Sequence, residues 1–137
     1  MAWGFPAAIG IARAWPGKRV VAISGDGSFW MVAQDLETCL RECVPVVNIV
    51  VNNFAFGNTR DRQRFSHDGR YLGVFLTNPD LGGFARLVGG YGERVTVGSD
   101  LPGAIARGLD SGLPAVIDVV QDNMEGLPPG MTPIKAR

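Results

Sequence analysis

Two short polar clusters carry residue types that could do chemistry: Gly25-Asp26-Gly27-Ser28 and Asn52-Asn53. Gly25 and Gly27 have no side chains, so a bulky anion can come close to the main chain. Ser28 reads as the opening of a helix, and the N–H groups of a first turn attract phosphate. Asp26 offers a hard carboxylate oxygen and Asn53 a neutral amide oxygen. Magnesium accepts a small set of this kind when water and phosphate oxygens complete its shell. The combination fits a magnesium-bound diphosphate. A G-D-G triplet alone reads more readily as a tight turn with no ligand. The site reading is favoured because such a cluster follows each of two strand-like runs.

Those runs are Val20-Val21-Ala22-Ile23 and Val46-Val47-Asn48-Ile49-Val50-Val51. Short and rich in β-branched residues, they read as parallel strands buried on both faces. Ligands bind at the carboxyl ends of such strands, so both clusters are expected on one rim, on neighbouring strands. Around them the pattern predicts a helix from Phe5 to Trp15, closed by Pro16-Gly17, and a strand from Arg19 to Ser24. Phe29, Ala33, Leu36, Leu40 and Cys43 then fall on one face of a helix from Ser28 to Glu42, and Val46 to Val51 is the next strand. Asn53 to about Thr77 shows no periodicity and reads as a long loop. Asn78 is expected to cap a helix with Leu81, Phe84, Leu87 and Val88 buried. A strand from Arg94 to Val97, a helix capped by Ser99 or Asp100 with Leu101, Ile105 and Leu109 inward, and a strand from Pro114 to Val120 complete the order. This alternation predicts an α/β fold, a three-layer α/β/α sandwich with a mostly parallel sheet. One domain covers residues 1–120, and residues 121–137 form a C-terminal extension without a core of its own.

Composition narrows the class. The chain has 137 residues, 46% hydrophobic and 19% charged, as in an ordinary globular domain. Thirteen basic and thirteen acidic residues cancel, so no overall field points to nucleic acid or to a membrane surface. No apolar run reaches the roughly 18 residues of a membrane span, and no signal peptide opens the sequence. Cys39 and Cys43 read as reduced thiols packed as small hydrophobes, and His67, the sole histidine, leaves a zinc site short of ligands. These features place the expected location in the cytoplasm.

Taken together, G-D-G-S-F at Gly25 to Phe29, the interval to Asn53, and the opening Met1-Ala-Trp-Gly-Phe-Pro-Ala-Ala-Ile-Gly10 resemble the signatures of thiamine-diphosphate enzymes of the acetolactate synthase-like superfamily. N-P-D-x-x-x-x-A-R-L at Asn78 to Leu87 and P-A-V-I-D-V at Pro114 to Val119 match as well. The resemblance covers Met1 to about Val120 and identifies the C-terminal, diphosphate-binding domain of such an enzyme. It implies thiamine diphosphate and Mg2+ as cofactors. Asp26 and Asn53 would supply side-chain oxygens to the metal and Ala55 its main-chain carbonyl. Gly27, Ser28, Phe56, Gly57 and Asn58 would surround the diphosphate, beside Gly25. Met1 would be the apolar wedge that bends the cofactor.

The same resemblance implies cleavage or formation of a C–C bond in a 2-oxo acid or related acyl substrate, by a decarboxylase, carboligase or acetolactate synthase-like enzyme. The family draws an activating glutamate from a separate pyrimidine-binding domain, on the same polypeptide or another subunit. No catalytic residue is therefore expected in this chain, which would lack the domain's first strand, be a fragment or split subunit, and be inactive alone. The family's sites form between subunits, which implies a homo-oligomer. Where acetolactate synthases carry an apolar stretch with a tryptophan, this sequence reads Asn58-Thr-Arg-Asp-Arg-Gln63. Arg60 and Arg62 could grip an anionic substrate, with Arg64 nearby, or form a solvated loop paired with Asp61 and Asp68. Two rivals stand beside this reading: a nicotinamide dinucleotide domain, which Trp30 disfavours at the third glycine position, and a non-catalytic scaffold or regulatory subunit that keeps the fold.

Overall fold

The computed structural model describes residues 1–124. Its centre is a four-stranded, wholly parallel sheet of β1 (Val20–Gly25), β2 (Val46–Asn52), β3 (Tyr91–Val95) and β4 (Ala115–Val120) in the order β1-β2-β4-β3. The helices are α1 (Gly4–Ala14), α2 (Asp26–Trp30), α3 (Asp35–Arg41), α4 (Gly57–Ser66), α5 (Leu81–Leu87) and α6 (Leu101–Asp110). The expected three-layer α/β/α architecture is present. Most of the expected C-terminal extension lies outside the described residues. No described helix is long and apolar enough to cross a membrane.

Alternation along β2 divides the core. Val46 and Val50 join Phe5, Phe29, Leu36, Leu81 and Val116 under α1, α2, α3 and α5. Val47 and Ile49 join Ala104, Ala115 and Ile117 under α6. β2 is buried almost throughout, as its apolar run predicts. β1 departs from that expectation: Val21 is 41% and Ile23 70% exposed. β1 is an edge strand, and α6 packs mainly on β2, β3 and β4.

Several elements differ from the sequence reading. The single helix from Ser28 to Glu42 is two, because Val32, Asp35, Leu36 and Glu37 donate to carbonyls three residues back, a tighter winding than α. The loop after Asn53 contains α4, whose sequence GNTRDRQRFS has no apolar stripe; it buries Arg60 and Asp61 while Phe65 is exposed. Asp80 rather than Asn78 caps α5, its carboxylate accepting the Gly83 N–H at 2.9 Å. Leu81 and Ala85 are buried there, whereas Leu87 is 84% exposed. β3 begins at Tyr91 rather than Arg94, and α5 lies against it backbone to backbone. A Cβ at Gly82 would sit 2.7 Å from the Glu93 carbonyl. Cys39 is a buried core thiol, raised to about 11 chiefly by burial, while Cys43 is exposed with a φ of 52°.

Candidate functional site

The parallel register sets Gly25 opposite Val51, so the residues that follow β1 and β2 leave the sheet side by side. Between them lies a cavity of about 330 Å³ lined by Met1, Gly25, Asp26, Gly27, Ser28, Asn53, Ala55, Phe56, Gly57 and Asn58, with Val51 and Thr59. All ten residues singled out from the sequence therefore meet in one place.

Asp26 opens α2 and is 1% exposed. The Gly27 N–H donates to one of its oxygens at 2.9 Å, and the Asn78 amide to the other at 2.7 Å. Burial pushes its carboxyl above the ordinary range; those two donors and the N–H groups of Ala55 and Phe54 pull it back only in part. Among the described residues no cation forms an ion pair with it. Buried charges are normally paired or coordinate a metal. Such an environment suits a carboxylate that could hold a cation.

Asn53 starts the loop that faces it. Its side-chain oxygen accepts the Ala55 N–H at 3.2 Å, and between them Phe54 takes a left-handed φ of 54°. Such a conformation in a bulky residue persists only where surrounding contacts impose it. Here Phe56 N–H donates to Val74 at 2.8 Å and Leu76 N–H to Phe54 at 2.7 Å, so residues 74–76 brace the turn as a short antiparallel bridge. The Arg94 guanidinium lies 5.8 Å from the Phe54 ring centre. The loop then enters α4, whose first helical hydrogen bond runs from Arg60 to Phe56. The N–H groups of residues 57–59 precede that bond, at the cavity wall.

A side chain at either inner glycine would press on a neighbouring side chain of the site. A Cβ at Gly27 would drive into the Phe56 ring, and one at Gly57 would sit 2.8 Å from the Asn53 side-chain nitrogen. Gly25 meets nothing within 4 Å, so its role is openness rather than close contact. The Ser28 hydroxyl accepts the Ala2 N–H at 2.8 Å, and Met1, 71% exposed, sits at the mouth. Oxygen donors dominate: among the described residues no group of three His, Cys, Asp or Glu is placed to hold a metal. One carboxylate, one amide and main-chain carbonyls suit a hard divalent ion that also takes phosphate oxygens. The residues present fit that group.

The arginines do not converge on the cavity. Arg60 is 1% exposed, donating to Asp61 at 2.8 Å and to the Asn123 carbonyl. The pairing with Asp61 holds, but in the interior rather than in a solvated loop. Arg62 is exposed and lines a different concavity with His67 and Arg70. Arg64 is exposed with its guanidinium 5.6 Å from the Phe65 ring centre.

Sequence reasoning missed Asn78 as a site neighbour. Read as a cap, it instead reaches Asp26; the one signal that could have found it is its place at the head of the N-P-D motif. Asn52 was read with Asn53 as one cluster, yet it turns inward and donates to Asp118 at 2.8 Å. Alternation along β2 does separate the two, since adjacent strand residues face opposite sides.

Comparison with known proteins agrees with this geometry. A family model described as "Thiamine pyrophosphate enzyme, C-terminal TPP binding domain" matches residues 1–119. The chain is 35% identical over 134 residues to the acetolactate synthase isozyme 2 large subunit of Escherichia coli strain K12, covering 97% of the chain and 24% of the relative. It is 36% identical over 138 residues to the acetolactate synthase large subunit of Parasynechococcus marenigrum strain WH8102, covering 99% and 22%. Against the acetolactate synthase of Bacillus subtilis strain 168 it is 33% identical over 122 residues, covering 89% and 21%. The chain thus spans roughly a quarter of the length of the curated relatives it matches.

Proposed function

This chain belongs to the thiamine pyrophosphate enzymes, as their C-terminal TPP-binding domain, and from that membership we propose that it holds the diphosphate of thiamine diphosphate through Mg2+. The observation that carries the metal is Asp26, a buried carboxylate without a cationic partner among the described residues, in one cavity with Asn53. Asp26 and Asn53 would give side-chain oxygens and Ala55 its carbonyl. The residues that open α4 line the cavity, and their N–H groups would receive phosphate oxygens. Gly27 and Gly57 keep the Phe56 ring and the Asn53 amide in place, and Met1 at the mouth is positioned to support the cofactor's apolar part. When bound, thiamine diphosphate supplies a carbon nucleophile and an electron sink for breaking or making a C–C bond beside a carbonyl.

The activity we propose is that of an enzyme acting on 2-oxo acids or related acyl compounds, a lyase or transferase in the manner of decarboxylases and carboligases. Among the described residues no glutamate lines the cavity. The acid that exchanges a proton with the cofactor therefore comes from elsewhere, which supports a pyrimidine-binding domain on the same polypeptide or a partner subunit. A site shared between domains also favours an oligomer, with the chain inactive alone. The scaffold reading is disfavoured, because a dead site has no reason to keep a buried carboxylate with no cationic partner among the described residues.

Thermal melting tests the cofactor. Thiamine diphosphate plus magnesium at 100 times the dissociation constant should add about 2.7 kcal/mol of stability. Either component alone, or NAD, should add little, and Asp26→Ala should abolish the shift. A shift with NAD, or an undiminished shift in Asp26→Ala, overturns the reading.

A further inference from the structure

Behind the cavity wall runs a chain of side-chain hydrogen bonds that the proposed ligands do not account for. Asn78 stands at its centre, in the segment before α5. Its amide nitrogen donates to Asp26 at 2.7 Å and to the Asn52 side-chain oxygen at 2.8 Å. Its oxygen accepts from the Trp30 indole at 2.8 Å. Asn52 in turn donates to Asp118 at 2.8 Å, and Asp118 accepts the Leu81 N–H at 3.0 Å. Asn52, Asp118 and Asp26 are all 1% exposed or less.

We infer that Asn78 is a positioning residue: it fixes the Asp26 carboxylate for the metal, and Trp30 fixes Asn78. An indole N–H can only donate, so the Asn78 oxygen must face Trp30 and its NH2 must face Asp26 and Asn52. Both protons of that NH2 are then used, and the amide has no alternative orientation that keeps its partners. Asn52 is locked the same way, since the Asp118 carboxylate can only accept. Asp26 is held at one oxygen by the Gly27 N–H and at the other by Asn78, with the Phe54 and Ala55 N–H groups also drawing on its charge. Trp30 is itself wedged by aromatic contacts, 5.6 Å from Phe84 and 5.8 Å from Phe29 between ring centres. Core packing around α2 and α5 is thereby transmitted to the orientation of one carboxylate. Partners behind a metal ligand of this kind contribute substantially to affinity.

The inference rests on the reading of Asp26 as a metal ligand, and the experiment separates the two. Manganese(II) binding to the full-length protein in the presence of thiamine diphosphate is followed by electron paramagnetic resonance. Asn78→Leu, close in shape but without donors, should weaken manganese binding about 10-fold or more. Trp30→Phe keeps the aromatic contacts but releases the amide, and should cause a smaller loss in the same direction. It decides the matter if Asn78→Leu does not fold. Melting without ligands reports any purely structural role. Wild-type manganese affinity in a folded Asn78→Leu protein, or in Trp30→Phe when that variant must decide, overturns the positioning role and leaves the cofactor reading standing, even where melting is lowered. Absence of manganese binding in the wild type overturns both.

Discussion

Gly57→Ala separates the site from the fold, because its two effects have opposite signs. Gly57 is the first residue of α4 and does not require a left-handed backbone, so alanine suits its conformation. Such a substitution should stabilise the ligand-free chain by about 0.4–1 kcal/mol by restricting the unfolded state. The new Cβ would lie 2.8 Å from the Asn53 side-chain nitrogen, against the 3.4 Å at which ordinary contact begins. The Asn53 amide must therefore retreat by about 0.6 Å, some three times the ~0.2 Å tolerance of a metal–ligand distance. Loss of one metal contact on this scale should weaken metal binding by about 10–100-fold. At a ligand concentration that stabilises the wild type by about 2.7 kcal/mol, the gain then falls to about 1.4 kcal/mol for a tenfold loss and about 0.4 for a hundredfold loss. Melting curves with and without magnesium and thiamine diphosphate read both quantities on the same samples. An undiminished ligand shift in Gly57→Ala would refute Asn53 as a metal ligand. A collapse of ligand-free stability would show that Gly57 serves packing rather than the site.

Three other outcomes follow from the structure. Arg60→Met should destabilise the fold by about 3–5 kcal/mol in urea unfolding, since it strands the buried Asp61 carboxylate; a stable variant with only a raised Michaelis constant for anionic substrates would restore Arg60 to the substrate. Gly82→Ala should cost about 1–3 kcal/mol or more, because its Cβ would press on the Glu93 backbone, which cannot swing aside as a side chain can; the check is chemical denaturation without ligands. Glu93 is held down to about 2, mainly by Arg107 and Tyr91. Its stabilising contribution is complete above the ordinary glutamate range and is lost as pH falls from about 4.5 towards 2. Arg107→Gln should flatten that part of the stability–pH curve, measured by melting at stepped pH, and an unchanged slope would discount the pairing.

The local chemistry of the site was legible in the residues themselves. Gly25-Asp26-Gly27-Ser28 and Asn52-Asn53 each follow a β-branched run, and parallel strands must end on one rim, so topology alone brings the clusters together. The apolar run of β2 and the inward stripe of Leu101, Ile105 and Leu109 on α6 were equally direct, because burial is written in single residue types. α4 was not legible: its inward face is an arginine and an aspartate that satisfy each other, and hydrophobic periodicity cannot register a polar pair. Nor was the exposure of Val21 and Ile23, which depends on how far α6 reaches across the sheet. Asn78 shows the same division. Its type fits a helix cap as well as a buried linker, and Asp80 two residues on took the cap. Only the crossing of α2, β2 and the segment before α5 placed its amide between Asp26, Asn52 and Trp30. A side chain's partners are fixed by whatever tertiary packing brings within 3 Å, and residues 26, 52 and 78 are too far apart in the chain for local pattern to pair them.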